Sequence, residues 1–333
     1  MRITVIGGTG HIGTYLIPRL VRTGHDLVSI SRGTREPYHE AAEWDAVEAL
    51  AVDREAAERR GEFGELVSGT EPDVIVDLIC YDRPSAEALV EAVRGDIQHL
   101  IHCGTLWVHG PGGAVPTVED EPRTRTPPYE YGQQKLAIER YLLDEARRNS
   151  LPATVLHPGH ITGPGWAPVN PVGNSDPSVF TRLARGDTVA LPNFGLETVH
   201  HVHADDVAQA FQRTIEHWSA AIGECFHVAS PRALTLRGYA EAVARWFGRE
   251  ATLAYQPWDE WKAQAEYDDD TITSTEKHVR RGTNASIEKA RTQLGYVPRY
   301  TSLQAVRESV EALVRAGEVD VGDAAWPSDP GAD

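Results

Sequence analysis

Arg2-Ile-Thr-Val-Ile-Gly-Gly-Thr-Gly-His-Ile-Gly13 is the stretch that decides the fold. Arg2 to Ile6 is a short β-branched run, the pattern of a buried strand. The glycine loop follows it directly. Next comes an amphipathic segment through Leu16, Ile17, Leu20 and Val21, ending at Thr23-Gly24-His25, with Pro18 inside it predicting a kink. A second strand is expected over Asp26 to Ser31. Strand, glycine loop, helix and strand in that order make a βαβ unit able to hold a dinucleotide. Gly8-x-Gly10-x-x-Gly13 and Gly7-x-x-Gly10-x-x-Gly13 both fit its fingerprint. The glycines permit a tight turn and close backbone approach, and the helix N-terminus faces the pyrophosphate. Gly7, Thr9, Gly10, His11, Ile12 and Gly13 are the expected contacts.

The end of the second strand predicts which dinucleotide. An NAD site usually carries an acid ~20 residues beyond the loop, to bind the ribose 2′-hydroxyl. Here Ser31-Arg32-Gly-Thr-Arg35 fills that region, and the first acid after it is Glu36. A guanidinium suits a 2′-phosphate, so NADP is expected, with NAD as the alternative. A third strand is expected over Ala46 to Val52. It ends at Asp53, whose carboxylate could meet the adenine amino group or cap a helix. Asp73 to Ile79 and Ile97 to His102 read as further strands, with a helix over Ser85 to Val93 between them. This alternation predicts an α/β fold with a doubly wound parallel (Rossmann) sheet. Ligands in such sheets sit beyond the carboxyl ends of the strands, where the glycine loop, Ser31, Asp53, Ile79 and Thr105 fall.

Composition narrows the class of partner. The chain has 333 residues, 41% hydrophobic and 24% charged, an ordinary globular mixture. Its net charge of -17 repels phosphate backbones and anionic membranes, so neither nucleic acid nor membrane is expected as a partner. Cys80, Cys103 and Cys225 are too scattered for a disulfide framework or a zinc set, which suits a reducing, cytoplasmic setting. No leader-like or spanning pattern precedes the first strand.

Chemistry is concentrated in Tyr131-Gly-Gln-Gln-Lys135, which follows Pro127-Pro and leads a predicted helix over Leu136 to Arg148. Residues four apart share a helix face. A nearby ammonium favours the phenolate and lowers the phenol pKa from its usual ~10. Alone, such a pair is no more than two surface neighbours.

Together with the glycine loop and a hydroxyl after the fifth strand, this pair resembles the extended short-chain dehydrogenase/reductases, and among them the NAD-dependent epimerase/dehydratase family. His157-Pro-Gly-His-Ile-Thr-Gly-Pro-Gly165, Val202-His-Ala-Asp-Asp-Val207 and Leu294-Gly-Tyr-Val-Pro298 resemble later motifs of that family, in the right order over about 300 residues. The resemblance implies that Thr105 hydrogen bonds the substrate oxygen and that Tyr131 is the acid/base. It also implies that Lys135 binds the nicotinamide ribose and depresses the Tyr131 pKa, and that the protein is a homodimer joined through the helices after Ser85 and Tyr131. Hydride would pass between the nicotinamide and a carbinol carbon while one proton crosses the phenol.

Departures from the family restrict the chemistry. Leu106-Trp107 stands where the dehydratases carry Asp-Glu, and Trp107 where some epimerases carry Cys. Oxidation or reduction of a secondary alcohol or ketone remains, or epimerisation through a transient ketone; a nucleotide-sugar 4-epimerase is the alternative. His160 replaces a phosphate-binding Asn, and Val199 aligns with a diphosphate-binding Arg that Arg182, Arg280 or Arg281 could replace. His157 is assigned to the cofactor, and Tyr81, Trp107, His160, Trp166 and His201 to a small, sugar-like substrate. His200, His201 and His203 lack an acid or Cys partner, so no metal is expected.

The domain expectation is a Rossmann unit over 1–160 plus about 200–230, and a smaller C-terminal substrate-binding lobe over about 161–199 and 231–316. Trp258 to Lys277 reads as a solvated charged helix or loop, and 317–333 as a disordered tail. The competing class is a cofactor-sensing or RNA-associated protein on the same fold, against which the intact Thr105, Tyr131 and Lys135 and the acidic charge both weigh.

Overall fold

Apolar β-branched runs need cover on both faces, and here helices supply it. The computed structural model describes residues 1–111, 113–120, 126–148, 150–324 and 326. Among them, a seven-stranded sheet comprises β1 (Arg2–Ile6), β2 (Asp26–Ser31), β3 (Val47–Ala51), β4 (Val74–Asp77), β5 (His99–Cys103), β6 (Ala153–Pro158) and β7 (Cys225–Val228). All its pairings are parallel, in the order β7-β6-β5-β4-β1-β2-β3. Strand order reverses between β1 and β4, which opens a crevice at their carboxyl ends.

The flanking helices that matter to the site are α1 (His11–Arg22), α2 (Arg83–Val93), α3 (Glu130–Arg147) and α4 (Ala204–Glu216). On one face, Leu16, Ile17 and Leu20 of α1 join Val207 and Phe211 of α4. On the other, Leu89 and Val93 of α2 join Ile138 and Leu142 of α3. Burying each such side chain contributes about 1.5–3 kcal/mol. Helix α1 runs through Pro18 without ending there.

A third core forms the lobe, from Phe180, Leu183, Tyr239, Val243, Trp261, Val279 and Val310. Three expectations change there. The acidic stretch is helical and most of its acids are exposed, but it is not solvated all round. It forms a helix over Trp258–Gln264, with Trp261 buried, and then α5 (Asp269–Arg281), whose Val279 enters the core. The chain then returns to the sheet, since Ala290, Leu294 and Tyr296 pack with Phe226 and Val228. It re-enters the lobe as α6 (Ser302–Arg315). The first part of the tail is packed as well: Val319 is buried, Asp320 pairs with Arg185, and Trp326 lies 5.3 Å from Phe247. Residues 327–333 lie outside the described residues.

Candidate active site

The crevice holds a cleft of about 670 Å³ lined by Gly7, Thr9, Gly10, Ser31, Arg32, Asp53, Ile79 and Tyr81. Its floor is set by the glycines. Gly7 has φ +90°, which an L side chain rarely adopts, and a Cβ on Gly13 would lie 2.0 Å from the Gly8 carbonyl oxygen. Gly10 caps α1 without a side-chain hydrogen bond, and no acid stands in the first turn. That helix end therefore leaves backbone N–H groups and a positive dipole end for an anion. Arg32, Arg35 and Arg59 line the same cleft farther along. The residues present thus fit a dinucleotide.

Within the fingerprint, the structure separates three residues from the cleft lining. Ile12 is in the core under the sheet, and Gly13 serves helix–strand packing. His11 is buried beneath the lobe, its ring 4.5 Å from Trp166 and 5.2 Å from Tyr38, and burial pushes its pKa down to about 4. Asp53 lines the cleft, but its Oδ1 accepts from the Ala56 amide and caps a helix over Arg54–Arg59. Arg54 was not foreseen. It spans from Glu58 to both oxygens of Asp77 at the end of β4, at 2.8 and 3.0 Å, and so fixes the cleft's outer wall.

Thr105, Tyr131 and Lys135 converge past the end of β5. Helix α3 places Tyr131 in its first turn and Lys135 one turn later. The Tyr131 phenol faces the Thr105 hydroxyl closely enough for Thr105 to lower its pKa. With 44% of its surface exposed, Tyr131 is open to solvent. Lys135 is buried and donates to the carbonyl oxygens of Cys80 and Cys103, at 2.6 and 2.8 Å. Its ammonium lies 4.9 Å from the Tyr81 ring centre and 6.0 Å from that of Tyr131. Desolvation raises the Tyr131 pKa, whereas the Thr105 hydroxyl and the charge of Arg281 act to lower it. The net shift is upward, the reverse of the expectation from Lys135, because desolvation outweighs the groups that lower it.

The facing wall comes from the lobe and the loop after β5. Trp107 stands edge-on to His160, His278 and Tyr129, with centroids 6.4, 5.4 and 5.9 Å away. The Arg281 guanidinium lies over the Trp107 ring at 4.1 Å and donates through Nη2 to the Leu106 carbonyl at 2.8 Å. Its Nη1 is buried and lacks a hydrogen-bond partner. Burial lowers the pKa of Arg281 to about 10 and that of His278 to about 4, and it holds His160 well below the ordinary value, so both rings are neutral at pH 7. Of the three candidate arginines only Arg281 stands here; Arg280 is turned out to Glu276. Sequence reasoning missed His278, because nothing in a charged amphipathic segment announces which turn faces a ligand.

Other assigned residues are placed elsewhere. Tyr81 lies in the cofactor cleft. Trp166 donates to the Tyr38 hydroxyl at 3.0 Å, over α1 and away from Trp107. His201 is fully buried behind His160, with Nε2 at 2.9 Å from the Val169 carbonyl. His157 is fully buried too, and it accepts from the Thr105 amide at 3.0 Å. The two histidines share a cause: parallel strands buried on both faces leave few side chains for the cleft. A group of possible metal ligands lies apart from the histidines weighed in the sequence. Among the described residues, Glu139, His157 and Cys225 bring ligand atoms within 4.8 Å of one another, a set drawn from α3, β6 and β7 that linear spacing cannot reveal. His200, His201 and His203 are not part of it.

The comparisons agree with this architecture. The NAD dependent epimerase/dehydratase family matches residues 3–229, and the chain belongs to that family. It is 26% identical over 278 residues to the 2′-dehydrokanamycin reductase of Streptomyces kanamyceticus, covering 83% of this chain and 75% of that one. It is 29% identical over 279 residues to a UDP-glucose 4-epimerase of Mycolicibacterium smegmatis, covering 77% and 86%. The fold is similar to that of UDP-glucose 4-epimerase from Thermotoga maritima, solved with UDP-glucose: TM-score 0.69, 21% identity, 95% of this chain and 99% of that one covered. No helix among the described residues is long and apolar enough to cross a membrane.

Proposed function

We propose that this protein is an NADP-preferring oxidoreductase acting at a secondary alcohol or ketone of a small, polar, sugar-like substrate, with Tyr131 as acid/base. The convergence of Thr105, Tyr131 and Lys135 beside a dinucleotide-shaped cleft carries the reading. The nicotinamide, when bound, supplies or accepts the hydride. Tyr131 gives its proton to the carbonyl oxygen in reduction, or takes it in oxidation. Thr105 orients that oxygen. Lys135, fixed by two carbonyls, would hold the nicotinamide ribose, and Gly7, Gly10 and Arg32 the phosphates.

On the substrate side, Trp107 is an apolar wall and Arg281 Nη1 a donor for an oxygen or anionic group. Such a wall suits ring-bearing polyols. The likeness to a reductase of an aminoglycoside ketone favours reduction, and the likeness to 4-epimerases keeps epimerisation as the variant. Absorbance at the reduced-nicotinamide band separates the two, because a reductase consumes NADPH stoichiometrically and an epimerase returns it. Screening keto-sugars, aminoglycoside ketones and sugar nucleotides with NADPH should give turnover; a chain that binds NADPH and turns over none of these would refute the reading. We also propose a homodimer through the adjacent α2 and α3, which sedimentation would test.

A further inference from the structure

The third residue on the catalytic face of α3 leads away from the cleft. Tyr131, Lys135 and Glu139 are spaced four apart, and Glu139 reaches His157, with Oε2 at 2.9 Å from Nε2. His157 Nδ1 in turn accepts from the Thr105 amide at 3.0 Å. A Cβ on Gly104 would lie 2.4 Å from that nitrogen, so the imidazole packs directly on the backbone that carries Thr105. Cys225 stands beside the pair: one carboxylate oxygen, one imidazole nitrogen and one thiol sulfur lie within 4.8 Å of one another. All three residues are buried. Glu139 and Cys225 also line a separate cavity of about 570 Å³, among whose other lining residues are Glu119 and Glu224.

We propose that Glu139, His157 and Cys225 form an inhibitory site for a thiophilic divalent cation, zinc above all. Mixed nitrogen, oxygen and sulfur donors suit zinc, and a tetrahedral site sets its ligand atoms on the order of 3–4 Å apart. The cavity admits the ion and a water as fourth ligand. Inhibition follows from the tautomer. Nδ1 accepts from Thr105, so the imidazole proton sits on Nε2, which lies 2.9 Å from Glu139 Oε2. Coordination through Nε2 moves that proton to Nδ1, which then cannot accept from the Thr105 amide. The Cys225 thiol loses its proton to solvent through the cavity, so one proton is released per ion bound. Metal occupancy and the hydrogen bond that seats Thr105 exclude each other.

The binding half stands without any catalytic role; the inhibitory half rests on Thr105 acting as proposed above. Cobalt(II), titrated into the full chain, should give a thiolate-to-cobalt charge-transfer band at one equivalent per chain, bleached by zinc. Cys225→Ser should abolish the band and Glu139→Gln should weaken binding about tenfold to a hundredfold, whereas Cys80→Ser and Cys103→Ser should keep it. No band in the unmodified chain, or a band that survives Cys225→Ser, overturns the site. Zinc should also speed hydrogen exchange at the Thr105 amide and lower kcat, with recovery on chelation. Metal binding without faster exchange at Thr105 would overturn the coupling, and this readout does not depend on turnover.

Discussion

The two walls of the cleft are made of different material. The cofactor wall is mostly backbone: glycines that cannot carry a Cβ, an uncapped helix end, and two carbonyls that hold Lys135. The substrate wall is mostly side chains, with Trp107, His160, His278 and Arg281 brought together from the loop after β5, the end of β6 and α5. A backbone wall needs particular residue types at fixed spacing, so it leaves a motif. A wall of packed rings needs only complementary shape and can be drawn from anywhere in the chain. The first kind accepts one class of ligand; the second can be retuned without disturbing the fold.

The largest test of this contrast is Tyr131→Phe, at the seam of the two walls. It should lower kcat by about 10²–10⁴-fold while the Kd of NADPH is unchanged, as stopped-flow and fluorescence titration would measure. Because the Tyr131 pKa is raised, the phenol stays protonated through neutral pH. Ketone reduction should therefore be flat from neutral into mildly alkaline pH, whereas alcohol oxidation, which needs the phenolate, should climb. Opposite profiles would remove Tyr131 from the acid/base role.

Acid should loosen the sheet and the lobe alike, since burial also pushes His99 on β5 down to about 4. Burial lowers the pKa of His11, His200 and His278 to about 4 and that of His201 to about 3. Each is neutral when folded, while in the unfolded chain it takes up a proton below ~6.5. Their contribution is fully present above that value and is lost as pH falls toward about 4. Each proton difference costs about 1.4 kcal/mol per pH unit, so denaturant midpoints should fall steeply across that window. A flat midpoint would contradict the burial of these rings.

Arg281→Leu separates the walls directly. It should raise the substrate KM about tenfold to a hundredfold, the loss of a buried charged hydrogen bond, and leave the Kd of NADPH alone. The smallest effect belongs to Arg32→Ala. Arg32 is exposed, so NADPH should bind about tenfold more weakly, less so at high salt, while NADH is indifferent. Equal losses for both cofactors would return the preference to NAD.

How much could be read in advance follows the same division. Gly7, Gly10, Ser31 and Ile79 were legible because a βαβ unit fixes where its strand ends lie. Asp53 was ambiguous for a local reason, since one carboxylate can cap a helix and still face a cleft. His157 and His201 misled because polar residues near a motif look like ligands, although buried parallel strands can point histidines inward and pair them with backbone. The acidic stretch misled in the other direction: its charges lie on the outer face of α5, while Thr275, Val279 and Arg281 take the inner turns.

The sequence by itself determined the sheet, the cofactor cleft and the Tyr131–Lys135 pair. Each follows from local rules: alternation of strand and helix, glycine where a Cβ cannot fit, and a helical repeat of four. Only the tertiary structure decided that two carbonyls hold Lys135, that Arg281 from α5 crosses to Trp107, and that Glu139, His157 and Cys225 meet beneath Thr105. Those contacts join residues up to 175 positions apart. No repeat or spacing encodes such a meeting, because packing of separate elements brings it about.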